Sequence, residues 1–309
     1  MNNILIGIDA GGTKTVAAAY TKDGQQIATQ RGAAGNVAAD TNNAVQAIID
    51  TIGHLLAKIE SPTSPYLPLL CVGAAGISRG RDQLKKALDR AFGSRFACIR
   101  LLSDAELALH AAHDGEDGLL IISGTGSIGY RKEGQTLYRV GGWGYLLGDE
   151  GSAYAVAAAA IRAVTHAADR GDQPPRALWE ALQNALGIDT LPALISYVYS
   201  HPKADIAALC RVVAECADKG DADACAILVQ AGQELAQMAA ILLSRAPVPH
   251  ALPLALSGGL LTENAIVRAS LEDRLQALNL PVSTVLALRE PTRGVLSIYR
   301  NMTNGGLIL

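Results

Sequence analysis

The chain has 309 residues, enough for one large domain or two ordinary ones. Half of the residues are hydrophobic and 18% are charged, so a sizeable core can form, and a net charge of −3 does not indicate a nucleic-acid or anionic-membrane partner. The five cysteines are scattered and form no Cys-x-x-Cys pair, which predicts reduced thiols. No cleavable leader pattern precedes the first strand, and apolar runs are shorter than the roughly 18 residues of a membrane span, so we expect a cytoplasmic protein.

The first predicted unit is a strand, a glycine-rich turn and a second strand. Ile4–Asp9 has the pattern of a buried strand, the glycine-rich turn follows it as far as Thr15, and Val16–Tyr20 is the returning strand. Asp23-Gly24 then predicts a hairpin turn into a third strand at Gln26–Gln30. Because such a glycine-rich backbone can approach a ligand closely and direct N–H groups at it, the first turn is a candidate phosphate site.

The first turn resembles a P-loop only in part. Gly7 and Gly12 have the P-loop spacing, but Thr13 stands where the lysine belongs, and a strand follows instead of a helix. Asp9 is either a turn-initiating residue or a ligand that holds Mg²⁺ through water. Lys14 either contacts phosphate or is simply solvated.

Strands alternate with helices up to the middle of the chain, which predicts an α/β sheet with ligands at the carboxyl ends of its strands. Asp104 follows such a strand, 97–102, and Ser103–Glu106 resembles a capping box for a helix at 107–113. Asp104 is therefore either a carboxylate placed for the helix dipole or a general base. His110 and His113 have no further ligand spacing, so we interpret them as ordinary histidines.

The second predicted unit repeats the first. Leu119–Ile122 is a buried strand, Ser123–Ser127 is a small-residue turn, and Glu133-Gly134 predicts a hairpin, followed by the glycine-rich segments Gly141–Gly144 and Gly148–Ser152. The two units begin roughly 115 residues apart, about one domain length, which indicates an internal duplication rather than two unrelated hairpins. Gly124, Gly126 and Gly129 match the dinucleotide fingerprint, but no helix follows them.

The remaining chain is predicted to be mostly helical. Predicted helices cover 153–168, 178–186, 191–199, 206–219 and 222–245, with a later helix from Glu263 and a last one at 293–301. Strands are predicted at 254–256 and 282–286, and Ser61–Pro68 is a predicted surface connection. Ser257–Gly259 is either a plain turn or bare backbone on which an adenine ring can lie.

Three motifs carry a resemblance to a known family. Asp9–Thr15 and Ser123–Ser127 resemble the two phosphate motifs of the sugar kinase, heat-shock protein 70 and actin superfamily. Gly141–Gly144 followed by Gly148–Tyr154 is more specific and resembles the N-acetylglucosamine kinases of the BadF/BadG/BcrA/BcrD ATPase family. The resemblance runs in order from Ile4 to about Gly259.

The resemblance implies two ribonuclease-H-like (actin-like ATPase) α/β domains around a central cleft, residues 1–117 and 118–292, with a C-terminal helix at about 293–309 packing back on the first. It implies ATP and Mg²⁺ as cofactors, with Asp104 as catalytic base and Asp9 at the metal. Implied sugar-binding residues are Asn36, Ser127, Gly142, Trp143, Gly144 and Asp149. Implied nucleotide-binding residues are Gly11, Gly12, Thr13, Lys14, Gly124, Thr125, Gly126, Gly258 and Gly259.

The implied function is ATP-dependent phosphorylation of the 6-hydroxyl of N-acetylglucosamine by a cytoplasmic, homodimeric kinase without a nucleic-acid or membrane partner. Val37 and Ile128 stand where animal enzymes carry polar or larger residues, so glucosamine remains the alternative acceptor. An ATPase that regulates or activates another protein without a sugar acceptor is the more distant alternative. Its dehydratase-activator form needs cluster-binding cysteines, and none lies between Cys98 and Cys210.

Overall fold

The computed structural model describes residues 4–59, 67–134, 136–173, 175–247, 250–287 and 289–304. Most of the predicted connection Ser61–Pro68 and the last five residues of the predicted C-terminal segment lie outside these ranges. The chain divides into two compact units, Met1–Gly118 with Ala287–Leu309, and Leu119–Leu286. These are the first and the second domain below.

The helices and strands follow one another in two α/β series. The described strands are β1 (Ile4–Ala10), β2 (Thr15–Thr21), β3 (Gln26–Gly32), β4 (Leu67–Ala74), β5 (Phe96–Leu102), β6 (Gly118–Ser123), β7 (Ser127–Glu133), β8 (Thr136–Gly141), β9 (Leu252–Ser257) and β10 (Val282–Leu286). The described α-helices are α1 (Thr41–Lys58), α2 (Arg81–Phe92), α3 (Asp104–Ala112), α4 (Ala153–Arg170), α5 (Arg176–Leu186), α6 (Leu191–Ser200), α7 (Lys203–Ala208), α8 (Cys210–Asp218), α9 (Ala222–Ser244), α10 (Gly259–Glu263), α11 (Ala265–Ala277) and α12 (Gly294–Asn304).

The first domain is built on a mixed sheet with the strand order β3-β2-β1-β4-β5. The hairpins β1-β2 and β2-β3 are antiparallel, whereas β4 lies parallel to both β1 and β5. The carboxyl ends of β1, β4 and β5 therefore meet at one edge, which is where ligands bind in sheets of this type. Asp9 and Asp104 are placed at that edge by the ends of β1 and β5.

Both faces of this sheet are buried, which is why its central strands read as nearly continuous apolar runs. One face packs against the apolar side of α1, where Val45, Ile48 and Ile52 are buried. The other face packs against Leu107 of α3 and Val295 of α12. The C-terminal helix thus completes the core of the first domain.

The segment that leads into α12 sits very close to β1. A Cβ atom at Gly7 would lie 2.1 Å from the carbonyl oxygen of Thr292, so only glycine allows this approach. The hydroxyls of Tyr20 and Thr292 are 2.7 Å apart, a buried hydrogen bond. These contacts place Glu290, two residues earlier, in the electrostatic neighbourhood of Asp9.

The second domain repeats the topology of the first. Its sheet has the order β8-β7-β6-β9-β10, with β7-β8 antiparallel and β9 parallel to both β6 and β10. In both sheets the third, second, first, fourth and fifth strands of the domain lie side by side, so the duplication predicted from the sequence is present in the strand order. One face of this sheet packs on α4, α9 and α11 through a core of leucine, valine and alanine side chains.

Two predicted helices of the second domain were wrong in their extent. The apolar pattern predicted one helix over 206–219, but α7 and α8 meet at Leu209, whose N–H bonds to the oxygen of Ile206 three residues back. The helix predicted from Glu263 begins two residues later as α11, because Asn264 caps it by accepting a hydrogen bond from the N–H of Val267 at 3.0 Å, and Glu263 ends the short α10, which was not predicted. A backbone bond at Leu209 and a side-chain cap at Asn264 thus set helix ends that the apolar pattern does not show.

One helix among the described residues, α9, is long and apolar enough to cross a membrane by length and composition. Half of its most apolar window is buried inside the protein, and the core helix of a soluble protein passes the same test. This is weak evidence for a membrane span.

Candidate active site

The first glycine turn connects β1 to β2 and is closed by one backbone bond. The N–H of Gly11 donates to the oxygen of Lys14 at 3.0 Å, and the oxygen of Gly11 accepts from Gly35 at 2.9 Å. Gly12, Thr13 and Lys14 are exposed beyond that bond. The exposed backbone and hydroxyl of this turn are therefore available to phosphate oxygens.

Asn36 lies beside the first turn and its orientation is fixed by its own loop. Its Oδ1 accepts hydrogen bonds from the N–H groups of Ala38 and Ala39, at 3.0 and 3.3 Å. Its Nδ2 lies 3.9 Å from the place that a Cβ at Gly12 would occupy. The amide can thus donate to a hydroxyl near the turn while its oxygen stays engaged.

Asp9 and Asp104 form a close electrostatic pair at the edge of the first sheet. Burial raises the pKa of the Asp9 carboxyl from 3.8 to about 6; the Asp104 carboxylate adds to the rise, Lys14 opposes it, and Glu290 adds a smaller part. Burial also raises the pKa of Asp104, against the backbone N–H groups of Ala105 and Asp104 itself. A carboxyl whose pKa is raised toward neutrality is better matched to accepting a proton.

The cap of α3 is formed by the two neighbours of Asp104 that the capping-box pattern predicted. Ser103 is the N-cap of α3: its Oγ accepts from the N–H of Glu106 at 3.1 Å, and the Glu106 carboxylate accepts from the N–H of Ser103 at 2.8 Å. The predicted capping box is thus confirmed. Asp104 stands at the first helical position, where its half-buried carboxylate also accepts from the backbone N–H groups of Asp104 and Ala105, so a role in stabilising the start of α3 stays open beside that of a base.

The second glycine turn connects β6 to β7 in the second domain. The N–H of Gly124 donates to the oxygen of Gly126 at 2.9 Å, as in the first turn. Gly258, with φ 89°, lies directly against it, because a Cβ there would be 2.3 Å from the oxygen of Ser123. The parallel pairing of β6 with β9 therefore brings the turn that ends β9 beside the second glycine turn.

The segment Gly148–Ser152, together with Ala153 after it, is joined to the second turn by three hydrogen bonds. Ser123 Oγ donates to the oxygen of Gly151 at 2.8 Å, and Ser127 Oγ donates to the oxygen of Glu150 at 2.6 Å. The N–H of Ala153 donates to the oxygen of Gly124 at 2.8 Å. Ser127, which the resemblance placed at the sugar, is buried and uses its hydroxyl in this bracing.

Asp149 is held beneath the second turn in an uncommon backbone conformation. Its φ is 63°, which non-glycine residues seldom adopt, and it is buried. Its Oδ2 accepts from Lys203 Nζ at 2.6 Å. Sequence reasoning missed Lys203, because its partner stands 54 positions away in the chain and nothing around residue 203 marks it.

The loop after β8 carries three glycines with positive φ, Gly141, Gly142 and Gly144. Trp143 between them is 67% exposed, and the Arg139 guanidinium lies 4.4 Å above its ring while also donating to the oxygen of Gly142. Trp143 is therefore not buried as a structural brace. An exposed aromatic face on a rigid loop suits packing against the apolar face of a sugar.

A cavity of about 640 Å³ opens beside the second turn, within the second domain. Gly124, Thr125 and Gly259 lie at one side, and the alanines of α7 with Arg211 at the other. Its volume lies within the usual range of small-molecule sites. Its small, mostly apolar lining suits a flat ring.

The residues of the first domain fit a hydrated metal rather than a protein cage. No three His, Cys, Asp or Glu side chains within the described ranges converge to hold a metal ion. Asp9 offers a hard oxygen ligand at the end of β1, and Mg²⁺ commonly uses one or two carboxylates together with water and substrate phosphates. The donor set present fits such an ion.

Two mixed sheets of this topology define the actin-like ATPase fold that sugar kinases share. A family model described as the BadF/BadG/BcrA/BcrD ATPase family matches residues 6–285. The chain belongs to this family.

Curated and solved relatives agree with this family. An N-acetylmuramic acid/N-acetylglucosamine kinase from Clostridium acetobutylicum is 34% identical over 75% of this chain and 76% of its own length. An N-acetyl-D-glucosamine kinase from Dictyostelium discoideum is 30% identical over 92% and 93%. The crystal structure of a candidate N-acetylglucosamine kinase from Chromobacterium violaceum superposes with a TM-score of 0.77 at 27% identity, covering 95% of this chain and 98% of that one.

Proposed function

We propose that this protein transfers the γ-phosphoryl group of ATP to the 6-hydroxyl of N-acetylglucosamine, giving N-acetylglucosamine 6-phosphate and ADP. The general activity, that of an ATP-dependent hexosamine kinase, agrees with its family and with the names of its relatives. The observation that carries the proposal is the half-buried Asp104 carboxylate, which is near enough to Asp9 to raise its pKa, at the start of a helix that Ser103 and Glu106 cap.

Asp104 is the proton acceptor in this proposal. The sugar hydroxyl oxygen attacks the γ-phosphorus, the bond from that phosphorus to the bridging oxygen breaks, ADP leaves, and the hydroxyl proton passes to Asp104. Phosphoryl transfer needs alignment and charge neutralisation more than covalent help, and a positioned base adds about 10²–10⁴ in rate.

The two glycine turns are proposed to hold the phosphates of ATP. Each offers backbone N–H groups and one hydroxyl, Thr13 in the first domain and Thr125 in the second, and Lys14 adds a positive charge. The adenine is assigned to the cavity beside Gly258 and Gly259. Mg²⁺ near Asp9 would supply charge neutralisation at the β- and γ-phosphates when bound.

Two contacts in the second domain favour an N-acetylated sugar over glucosamine. Ile128 packs under the backbone of Gly142, where a Cβ would lie 2.4 Å from Ile128 Cδ1, so an apolar side chain lies beneath this part of the loop 142–147, called the sugar loop below. The Asp149 carboxylate is already paired with Lys203 and is less able to bind a sugar ammonium. Asn36, Trp143, Gly144 and the backbone near Ser127 complete the proposed sugar site.

The deciding experiment measures ADP release with N-acetylglucosamine, glucosamine, N-acetylmuramic acid, glucose or no sugar. We expect release to depend on sugar and to have its highest kcat/KM with N-acetylglucosamine. A higher kcat/KM with glucosamine would show that glucosamine is the preferred acceptor, and the protein would still be a kinase. Release that is independent of every sugar would support the ATPase alternative and contradict the proposal. We also propose a cytoplasmic homodimer, which light scattering of the purified protein and cell fractionation check.

A further inference from the structure

Lys203 places a positive charge directly at the second glycine turn. If Gly126 carried a Cβ, that atom would lie 2.8 Å from Asp149 Oδ2 and 3.1 Å from Lys203 Nζ. The ion pair therefore occupies the space in which a side chain of Gly126 would stand. The Lys203 side chain is 28% exposed and that of Asp149 only 5%.

This arrangement answers an electrostatic problem in the proposed site. A buried carboxylate next to a turn that receives polyphosphate repels the ligand, because like charges at such distances are unfavourable in a partly desolvated site. Asp149 is also held at φ 63°, a conformation that needs support from its surroundings. The ammonium at 2.6 Å offsets the charge and holds the carboxylate in place.

The same lysine also lies near the other parts of the second-domain site. Lys203 begins α7, whose Ala204 and Ala207 line the cavity that also contains Thr125. Its Nζ lies 5.6 Å from the ring centre of Tyr145 in the sugar loop. The ammonium thus lies between the second turn and the Tyr145 ring, and the helix that Lys203 begins forms part of the cavity wall.

We propose that Lys203 is a positioning residue that cancels the charge of Asp149 and fixes its carboxylate at Gly126, so that the second turn can bind the phosphates of ATP. This inference rests on the proposed function, because it assumes that nucleotide phosphates bind at this turn. Lys203 acts through Asp149 and has no part in the chemistry itself.

The test compares ADP with adenosine, which lacks the phosphates, by calorimetry without sugar. We expect Lys203→Met to weaken ADP binding about tenfold, which corresponds to about 1.4 kcal/mol. Adenosine binding should stay within about twofold, since a charge effect acts on the phosphates alone. Lys203→Arg should keep most of the ADP affinity because it keeps the charge.

Two further variants separate charge from structure. Lys219→Met removes the same charge from an exposed position of the second domain and should leave ADP binding unchanged. Lys203→Met combined with Asp149→Asn removes both charges and should return ADP affinity to within about threefold of wild type, since coupled residues give non-additive effects. Lys203→Gln, which keeps a donor without the charge, replaces Lys203→Met if that variant does not fold.

Three results would overturn the inference while leaving the proposed kinase intact. One is unchanged ADP affinity in Lys203→Met, and another is an equal loss for ADP and adenosine, which would indicate a distorted site. The third is a double variant as weak as Lys203→Met, which would make Lys203 a direct phosphate ligand. A wild-type protein that binds neither ADP nor ATP would instead remove the proposed function and the inference together.

Discussion

Replacing Asp104 by asparagine removes the proposed proton acceptor at nearly constant size. Turnover should fall by about 10²–10⁴, equivalent to about 3–5 kcal/mol in the barrier, while sugar affinity measured by calorimetry stays within a few-fold. The stability of the folded protein should rise instead. Desolvation raises the pKa of the half-buried Asp104 carboxyl, and the Asp104 charge raises the pKa of Asp9, so a neutral side chain at position 104 is better tolerated in the free protein. Thermal melting followed by circular dichroism should therefore give a higher Tm.

Glu106→Ala is the matched control, because it breaks the capping box in the same first turn of α3 and leaves Asp104 in place. This variant should lose about 1 kcal/mol of stability, as lost helix caps do, and keep most of its turnover. The reasoning is refuted if Asp104→Asn behaves like Glu106→Ala, with a lowered Tm and a turnover loss that matches the unfolded fraction. In that event Asp104 stabilises the start of α3 and is not the proton acceptor of the reaction.

Three other predictions concern charge, capping and close packing. Asp9→Asn should stabilise the metal-free protein at pH 7 by about 3 kcal/mol at most. The pKa of Asp9 is raised from 3.8 to about 6 in the folded protein, so wild-type Asp9 loses stability as pH rises from about 4 through 6, whereas asparagine does not titrate. Melts from pH 4 to 7 should show the gap between the two proteins widening with pH. Arg131→Met should cost about 2–4 kcal/mol in urea unfolding, because this buried guanidinium donates to four carbonyl oxygens at the end of α9. Gly7→Ala should lower Tm by forcing Thr292 away from β1, whereas Gly53→Ala in α1, with open space around it, should be neutral or stabilising.

The local parts of the site could be predicted from the sequence because they are encoded by neighbouring residues. The glycine turns lie between strands of strong apolar pattern, and Ser103 and Glu106 are a capping pair three residues apart. The duplicated strand order follows from the repeated pattern of strand, turn and hairpin.

The long-range parts could not be predicted in this way. The contact of Lys203 with Asp149 and the approach of Thr292 to Gly7 join residues that are far apart in the chain, and no local pattern records them. The break at Leu209 was missed for a different reason: the apolar periodicity continues through it, and one backbone bond decides the outcome. The positions of Asp9 and Asp104 were predictable as strand ends, but the burial that raises their pKa values was not.

Comparing the two domains explains why a lysine so distant in sequence is found at the second turn. Both turns are closed by a bond from their first N–H to the last residue before the returning strand, Lys14 in the first domain and Gly126 in the second. The first turn therefore carries its own positive charge at the position where the second has no side chain. In the second domain the ammonium of Lys203 fills the place of that missing side chain and brings the Asp149 carboxylate with it. Each turn thus has a lysine close by: Lys14 is part of the first turn itself, whereas Lys203 reaches the second turn from α7 and is paired there with the Asp149 carboxylate.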